Sequence, residues 1–254
     1  MGRLRAPGGC PWDSEQTLES LKPYLIEEAY ETLEALEAGD PAKHCEELGD
    51  LLLQIVFQAE ICAQAKTFDA ADVANGISQK LIRRHPHVFG EFHAKDAAGA
   101  LKSWEAVKAK ERQGKVGRLD GVPKSMPALL RAFRTSEKAA AIGFDWPDLA
   151  SVAQKVEEEW KELGEAQTVA TDERAARVQE EFGDLLFALT SYARHLGVDP
   201  EGALRAATDK FSRRFKHVEA DLQALGKSDQ KLPIEELERL WRAAKDTEDS
   251  RRSH

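Results

Sequence analysis

An all-α protein built from two copies of one four-helix module is what this sequence predicts, and three observations lead there. Apolar residues recur at three- and four-residue spacing along nearly the whole chain. Alternating runs rich in Val, Ile and Thr, the mark of strands, are absent. An acidic segment, Glu46-Glu47-Leu48-Gly49-Asp50-Leu51-Leu52, returns with one change as Glu180-Glu181-Phe182-Gly183-Asp184-Leu185-Leu186. A length of 254 residues fits two domains of ordinary size, each able to bury a core.

In the first half the pattern predicts helices over about 14–38, 41–66, 70–85 and 100–112. Gly39 supplies the first stop, Asp40 the next N-cap and Pro41 its first-turn proline. Gly114, Gly117, Gly121, Pro123 and Pro127 then punctuate a stretch without helical periodicity, so residues 114–126 are read as a linker between modules at 1–113 and 127–254. The second half predicts helices over about 127–141, 148–168, 173–196, 200–224 and 233–247, started by signals at Asp148, Asp199-Pro200 and Leu232-Pro233.

The duplication has further landmarks in the same order. Glu27-Glu28-x-x-Glu31 is echoed by Glu158-Glu159-x-x-Glu162, and Lys80-x-x-Arg83-Arg84-x-x-His87-Val88 by Lys210-x-x-Arg213-Arg214-x-x-His217-Val218. Trp104-x-x-x-Lys108 is matched by Trp241-x-x-x-Lys245.

Bulk composition excludes several function classes. The chain is 42% hydrophobic and 32% charged, the profile of a soluble helical protein. A formal net charge of −9 argues against binding a nucleic-acid polymer or an anionic membrane, since both need broad positive fields. No apolar stretch approaches the roughly 20 residues of a membrane span, and no signal-peptide core opens the chain, so a cytoplasmic location is expected. Cys10, Cys45 and Cys62 lack CxxC spacing and are read as buried or bystander thiols.

Carboxylates at i and i+3 lie on nearly one side of a helix, with Cβ atoms about 5–6 Å apart, so each ExxE or ExxD makes an acidic pincer. In the second half the apolar stripe Val152, Val156, Leu163 puts Glu159 or Trp160 at the inner face. Val178, Phe182, Leu185, Leu186 and Leu189 mark the inner face of the following helix, with Glu181 and Asp184 at its border. A short connection makes the two helices antiparallel neighbours, so Glu159, Glu162, Glu181 and Asp184 are expected to converge. Four such charges need a cation. No His accompanies them at ligand spacing, and all-oxygen ligation favours Mg²⁺, or Mn²⁺, over zinc or a di-iron centre. Such an ion completes its shell with water and substrate phosphates, which lets an acidic site hold a polyphosphate. Glu158 and Glu180 are candidates for a further metal contact or for orienting the attacking water.

Lys210, Arg213 and Arg214 offer cations at i, i+3 and i+4, suited to gripping a triphosphate or, alternatively, to pairing with acids on a surface helix. Trp241 and Lys245 lie one turn apart, so a base could stack on the indole while the ammonium meets phosphate; core packing of Trp241 is the competing reading. His85-Pro86-His87 is read as a turn with packing roles.

Together with Cys10-Pro11-Trp12-Asp13, Gln16-Thr17, Arg83-Arg84-His85-Pro86-His87-Val88-Phe89-Gly90, Ile142-Gly143-Phe144-Asp145-Trp146-Pro147 and Ala193-Arg194-His195-Leu196-Gly197, these pincers make the chain resemble the MazG family along nearly its whole length. The resemblance implies Mg²⁺-dependent hydrolysis of standard and altered ribo- and deoxynucleoside triphosphates to monophosphate and pyrophosphate, by attack of water on the α-phosphorus. It implies an intertwined homodimer whose sites combine helices of two chains. It also implies metal ligation by Glu159, Glu162, Glu181 and Asp184, with nucleotide contacts from Lys155, Lys210, Arg214, Trp241 and Lys245. A parallel set, Glu28, Glu31, Glu47 and Asp50 with Lys80, Arg84, Trp104 and Lys108, falls in the first half.

Three positions depart from a simple repeat or from the family pattern. Tyr24 stands where the second half has Lys155, which favours the C-terminal module as the main catalyst. Leu18 stands where the N-terminal signature usually has His. Arg177, a further candidate substrate contact, stands where the second-half pattern usually has Lys, keeping charge but changing geometry. Two alternatives stay open: a nucleotide-binding regulator or adaptor without turnover, and a relative specialised for one nucleotide, such as deoxyuridine triphosphate or phosphoribosyl-ATP.

Overall fold

The computed structural model describes residues 1–90, 94–111, 117, 119–169, 172–228 and 230–252, and among these every regular element is a helix. Part of the expected linker, at 114–116 and 118, lies outside the described residues. The chain divides into two units, Met1–Lys115 and Val116–His254.

The first unit opens with two short helices, α1 (Gly2–Arg5) and α2 (Pro11–Glu15), where the sequence reading has one helix starting near 14. Local chemistry explains the difference. Thr17 and Ser20 exchange backbone-to-hydroxyl hydrogen bonds of 2.9 and 3.2 Å, a turn that competes with helix, and α3 (Lys22–Ala38) starts beyond it with Pro23 in its first turn. Arg5 then staples this segment down, bonding the carbonyls of Asp13 and Gln16 and lying 5.5 Å from the Phe57 ring.

Gly39, at φ 68°, ends α3 in the left-handed conformation that glycine tolerates, and the Asp40 side chain accepts from Ala42 and Lys43 N–H to start α4 (Pro41–Gln64). This tight turn makes α3 and α4 an antiparallel pair. An Asp69/Asp72 capping box starts α5 (Ala70–Arg84), which leads through α6 (Pro86–Phe89) to α7 (Ala97–Glu111). The first unit is thus two hairpins, α3/α4 and α5/α7, joined where α4 packs on α5.

In the second unit α8 (Ala128–Ala140) packs on α10 (Arg174–His195) and α11 (Pro200–Ala224), while α9 (Leu149–Ala166) pairs with α10 and α11 with α12 (Ile234–Arg252). Asp148 and Asp199 cap α9 and α11 as their sequence positions predict. Loop 141–147 is tied to the end of α10 through Asp145, which accepts from Arg194 at 2.5 Å and sits 3.1 Å from His195; Arg194 also donates to Ser136 at 2.8 Å. These bonds hold the Asp145 carboxyl down at about 2, Arg194 contributing most.

The expected inner faces need correction. On α10 the buried residues are Leu185, Ala188, Thr190 and Ser191, whereas Phe182, Leu186 and Leu189 are exposed, as is Trp160 on α9. The stripe is wider than the cover available within one chain. α8 and α9 cover part of it, α11 touches α10 more lightly, and Phe182, Leu186 and Leu189 stay exposed. No helix among the described residues is long and apolar enough to cross a membrane.

Candidate metal and nucleotide site

Each helical pair brings acids together. In the second unit Glu159 and Glu162 on α9 and Glu181 on α10 place one carboxylate oxygen each within 4.8 Å of the others. Glu159 is 6% exposed, because the face of α9 that carries it also carries buried Val152 and Leu163. Lys155, one turn earlier, bonds Glu158 at 2.9 Å and Glu159 at 2.7 Å, and Arg177 approaches Glu181 at 3.8 Å. These carboxylates first raise the pKa of Lys155, so it stays charged. Desolvation, then the charge of Glu159, raises Glu162 above the ordinary carboxylate value. The fourth expected ligand, Asp184, lies outside this tight group, and Glu158 and Glu180 are exposed beside it.

In the first unit the group is Glu28 from α3 with Glu47 and Asp50 from α4. Glu47 is only 1% exposed and its Oε1 pairs with Lys43 at 2.5 Å, while its Oε2 is buried without a hydrogen-bond partner. Desolvation, then Asp50 and Glu47, push Glu28 up. Glu31 is raised chiefly by the charge of Glu47 and then by burial. Thr32 ties the helices together, donating to the carbonyls of Glu28 at 2.7 Å and Glu47 at 3.3 Å. Tyr24, in the place of Lys155, packs edge-on against Trp12 and brings no cation.

Both groups meet the chemical demand of a hard divalent ion. They offer only oxygen ligands, their charges repel one another, and in the first unit a buried acceptor has nothing to accept from. An unpaired buried carboxylate oxygen is costly, and an ion or its water satisfies it.

The candidate nucleotide residues sit on other helices. Lys210 and Arg214 belong to α11, and Trp241 and Lys245 to α12, whose packing partner is α11 rather than α9. Among the described residues, the candidate nucleotide contacts that pair with acids of α9 and α10 are Lys155 and Arg177. Trp241 lies 4.9 Å from Phe211, which itself stacks on Phe215.

Arg213 and Arg214 are paired with Glu248 at 3.3 and 2.5 Å, and Arg83 and Arg84 with Glu111, Arg84 through two bonds of 2.6 and 2.9 Å. Glu111 is held down at about 2, first by Arg84, and Glu248 is lowered first by Arg214. Sequence reasoning missed these two acids. The signal was present, since Glu111 follows Trp104 and Glu248 follows Trp241 by the same seven residues.

The MazG nucleotide pyrophosphohydrolase domain family matches the chain twice, over residues 16–89 and 148–219. The nucleoside triphosphate pyrophosphohydrolase/pyrophosphatase MazG of Thermotoga maritima is 48% identical over 247 residues, 96% of this chain and 92% of its own length. The nucleoside triphosphate pyrophosphohydrolase of Escherichia coli is 44% identical over 249 residues, 96% and 94% of the two chains. A protein of the same name from Mycobacterium tuberculosis is 42% identical over 146 residues, 56% of this chain and 43% of its own.

Proposed function

We propose that this chain, which belongs to the MazG nucleotide pyrophosphohydrolase family, hydrolyses nucleoside triphosphates, ribo- and deoxy-, standard and altered, to the monophosphate and pyrophosphate in a Mg²⁺-dependent reaction. The observation that carries this is the convergence of Glu159, Glu162 and Glu181 from two helices within 4.8 Å, repeated in kind by Glu28, Glu47 and Asp50. Asp184 and Glu31 flank these groups as further ligands. These carboxylates would hold Mg²⁺, which would supply charge neutralisation for the phosphates and a lowered pKa for water.

The chain's own groups account for the rest. Lys155, kept protonated by Glu158 and Glu159, meets the triphosphate charge at the rim of the centre. Arg177 adds a second cation from the facing helix. Glu158 and Glu180 orient the attacking water and accept its proton as the bond from the α-phosphorus to the bridging oxygen breaks and pyrophosphate leaves. Lys210, Arg214, Trp241 and Lys245 take the nucleotide from a second direction, with Arg213 holding Glu248 beside Arg214.

That second direction is assigned to a second copy in a homodimer. The exposed apolar residues Phe182 and Leu186 on α10, and Phe211 and Phe215 on α11, support a second copy laying its α11–α12 hairpin over α9 and α10. The absence of any long apolar helix among the described residues is consistent with a cytoplasmic enzyme.

Product analysis across a panel of nucleoside triphosphates, with and without Mg²⁺, tests the proposal. Monophosphate and pyrophosphate in equal amounts, only with metal, are expected. Orthophosphate as product would sink the reaction assigned here. Binding that stabilises the chain without any product would point to a nucleotide-sensing regulator instead.

A further inference from the structure

The two acidic centres are not floored alike. On α4, Glu47, Asp50 and Gln54 fall at i, i+3 and i+7, so all three share one face. Gln54 is 6% exposed. Its amide lies close enough to the Glu28 carboxylate to lower that group's pKa against the raising effects of burial and neighbouring acids. Its Oε1 is buried with no hydrogen-bond partner, like Oε2 of Glu47. Two buried acceptors at one centre are costly unless an ion or water meets them. Carrying the repeat forward from Glu47 and Glu181 aligns Gln54 with Ala188, which is buried and has no polar atom in its side chain.

Resting on the metal reading above, we infer that Gln54 supplies a neutral oxygen ligand to the divalent cation of the first unit, making that centre a more fully protein-ligated site than its counterpart. Mg²⁺ and Mn²⁺ fill their shells with whatever oxygens are at hand, protein groups first, then water or phosphate. An added amide oxygen leaves fewer open positions for phosphate. The first centre accordingly holds its ion without nucleotide, while the second, with Ala188 in the matching place, leaves positions for the substrate. This explains a division of labour between the units at the level of one side chain, in addition to the exchange of Lys155 for Tyr24.

Titration of the full nucleotide-free chain with Mn²⁺, followed by the electron paramagnetic resonance of the free ion, tests this in four variants. Glu47→Gln is expected to remove the tighter class of ion, and Gln54→Leu to weaken that same class about tenfold or more. Glu159→Gln should leave that class in place. Gln54→Glu, which keeps shape and adds charge, should bind at least as tightly as wild type, an outcome that a packing role for Gln54 does not produce. If Glu47→Gln removes the ion and Gln54→Leu does not weaken it, the assignment of Gln54 is overturned while the metal centre stands. If neither Glu47→Gln nor Glu159→Gln changes Mn²⁺ binding, the metal reading of both centres falls.

Discussion

Replacing Glu47 by Gln should stabilise the metal-free protein and abolish its response to Mg²⁺ in the first unit. Glu47 is 1% exposed and has oxygens of Glu28 and Asp50 within 4.8 Å. At an effective dielectric near 20, two like charges 4.8 Å apart repel by roughly 3.5 kcal/mol. Asp50 adds a second such repulsion, and half-exposed Lys43, at 2.5 Å from Glu47, offsets most of the two together, leaving a net cost on the order of 1 kcal/mol. Gln retains the shape and an acceptor for Lys43. Its ion-free melting temperature should therefore rise by about 4 °C for a unit of this size. Calorimetry in chelator and again in millimolar Mg²⁺ reads both effects. A variant that melts below wild type in chelator and still gains as much from Mg²⁺ would refute the reasoning, because neither the repulsion nor its relief by a cation would then involve Glu47.

Glu159→Ala, Glu162→Ala and Glu181→Ala should each reduce pyrophosphate release by about 100-fold or more while circular dichroism shows the helices intact; near-normal turnover in all three would displace the site. The Mg²⁺-induced rise in melting temperature should grow with pH from about 5 towards 7. Glu28, Glu31 and Glu162 have pKa values raised above the ordinary 4.5, so the metal-free fold takes up protons relative to the unfolded chain and loses stability as pH rises through the raised values. The cation removes that loss, and a shift that shrinks with pH would contradict the sign. Glu248→Ala should raise KM for the triphosphate by about tenfold, because Arg213 and Arg214 lose the acid that fixes α11 against α12 and with it the placement of Trp241. An unchanged KM, measured by steady-state kinetics, would make the ion pair structural only.

Much of this protein is written in short-range terms. Asp40, Asp148 and Asp199 start helices because a side-chain oxygen reaches backbone N–H groups two or three residues on, and Gly39 ends one because it takes a positive φ without a Cβ clash. The pincers are legible for the same reason: spacing along one helix sets which side two carboxylates share. The repeat itself needs no structure at all. Other features depend on groups far apart in the chain. That Glu47 rather than Asp50 is the most buried acid, that Gln54 comes close to Glu28, and that Glu111 and Glu248 take up the twin arginines are outcomes of α3 meeting α4, α5 meeting α7 and α11 meeting α12. The exposure of Phe182 and Leu186 is of this kind too. A helix's apolar stripe is local, but whether another surface lies against it is decided by packing, and here α8 and α9 cover only part of α10.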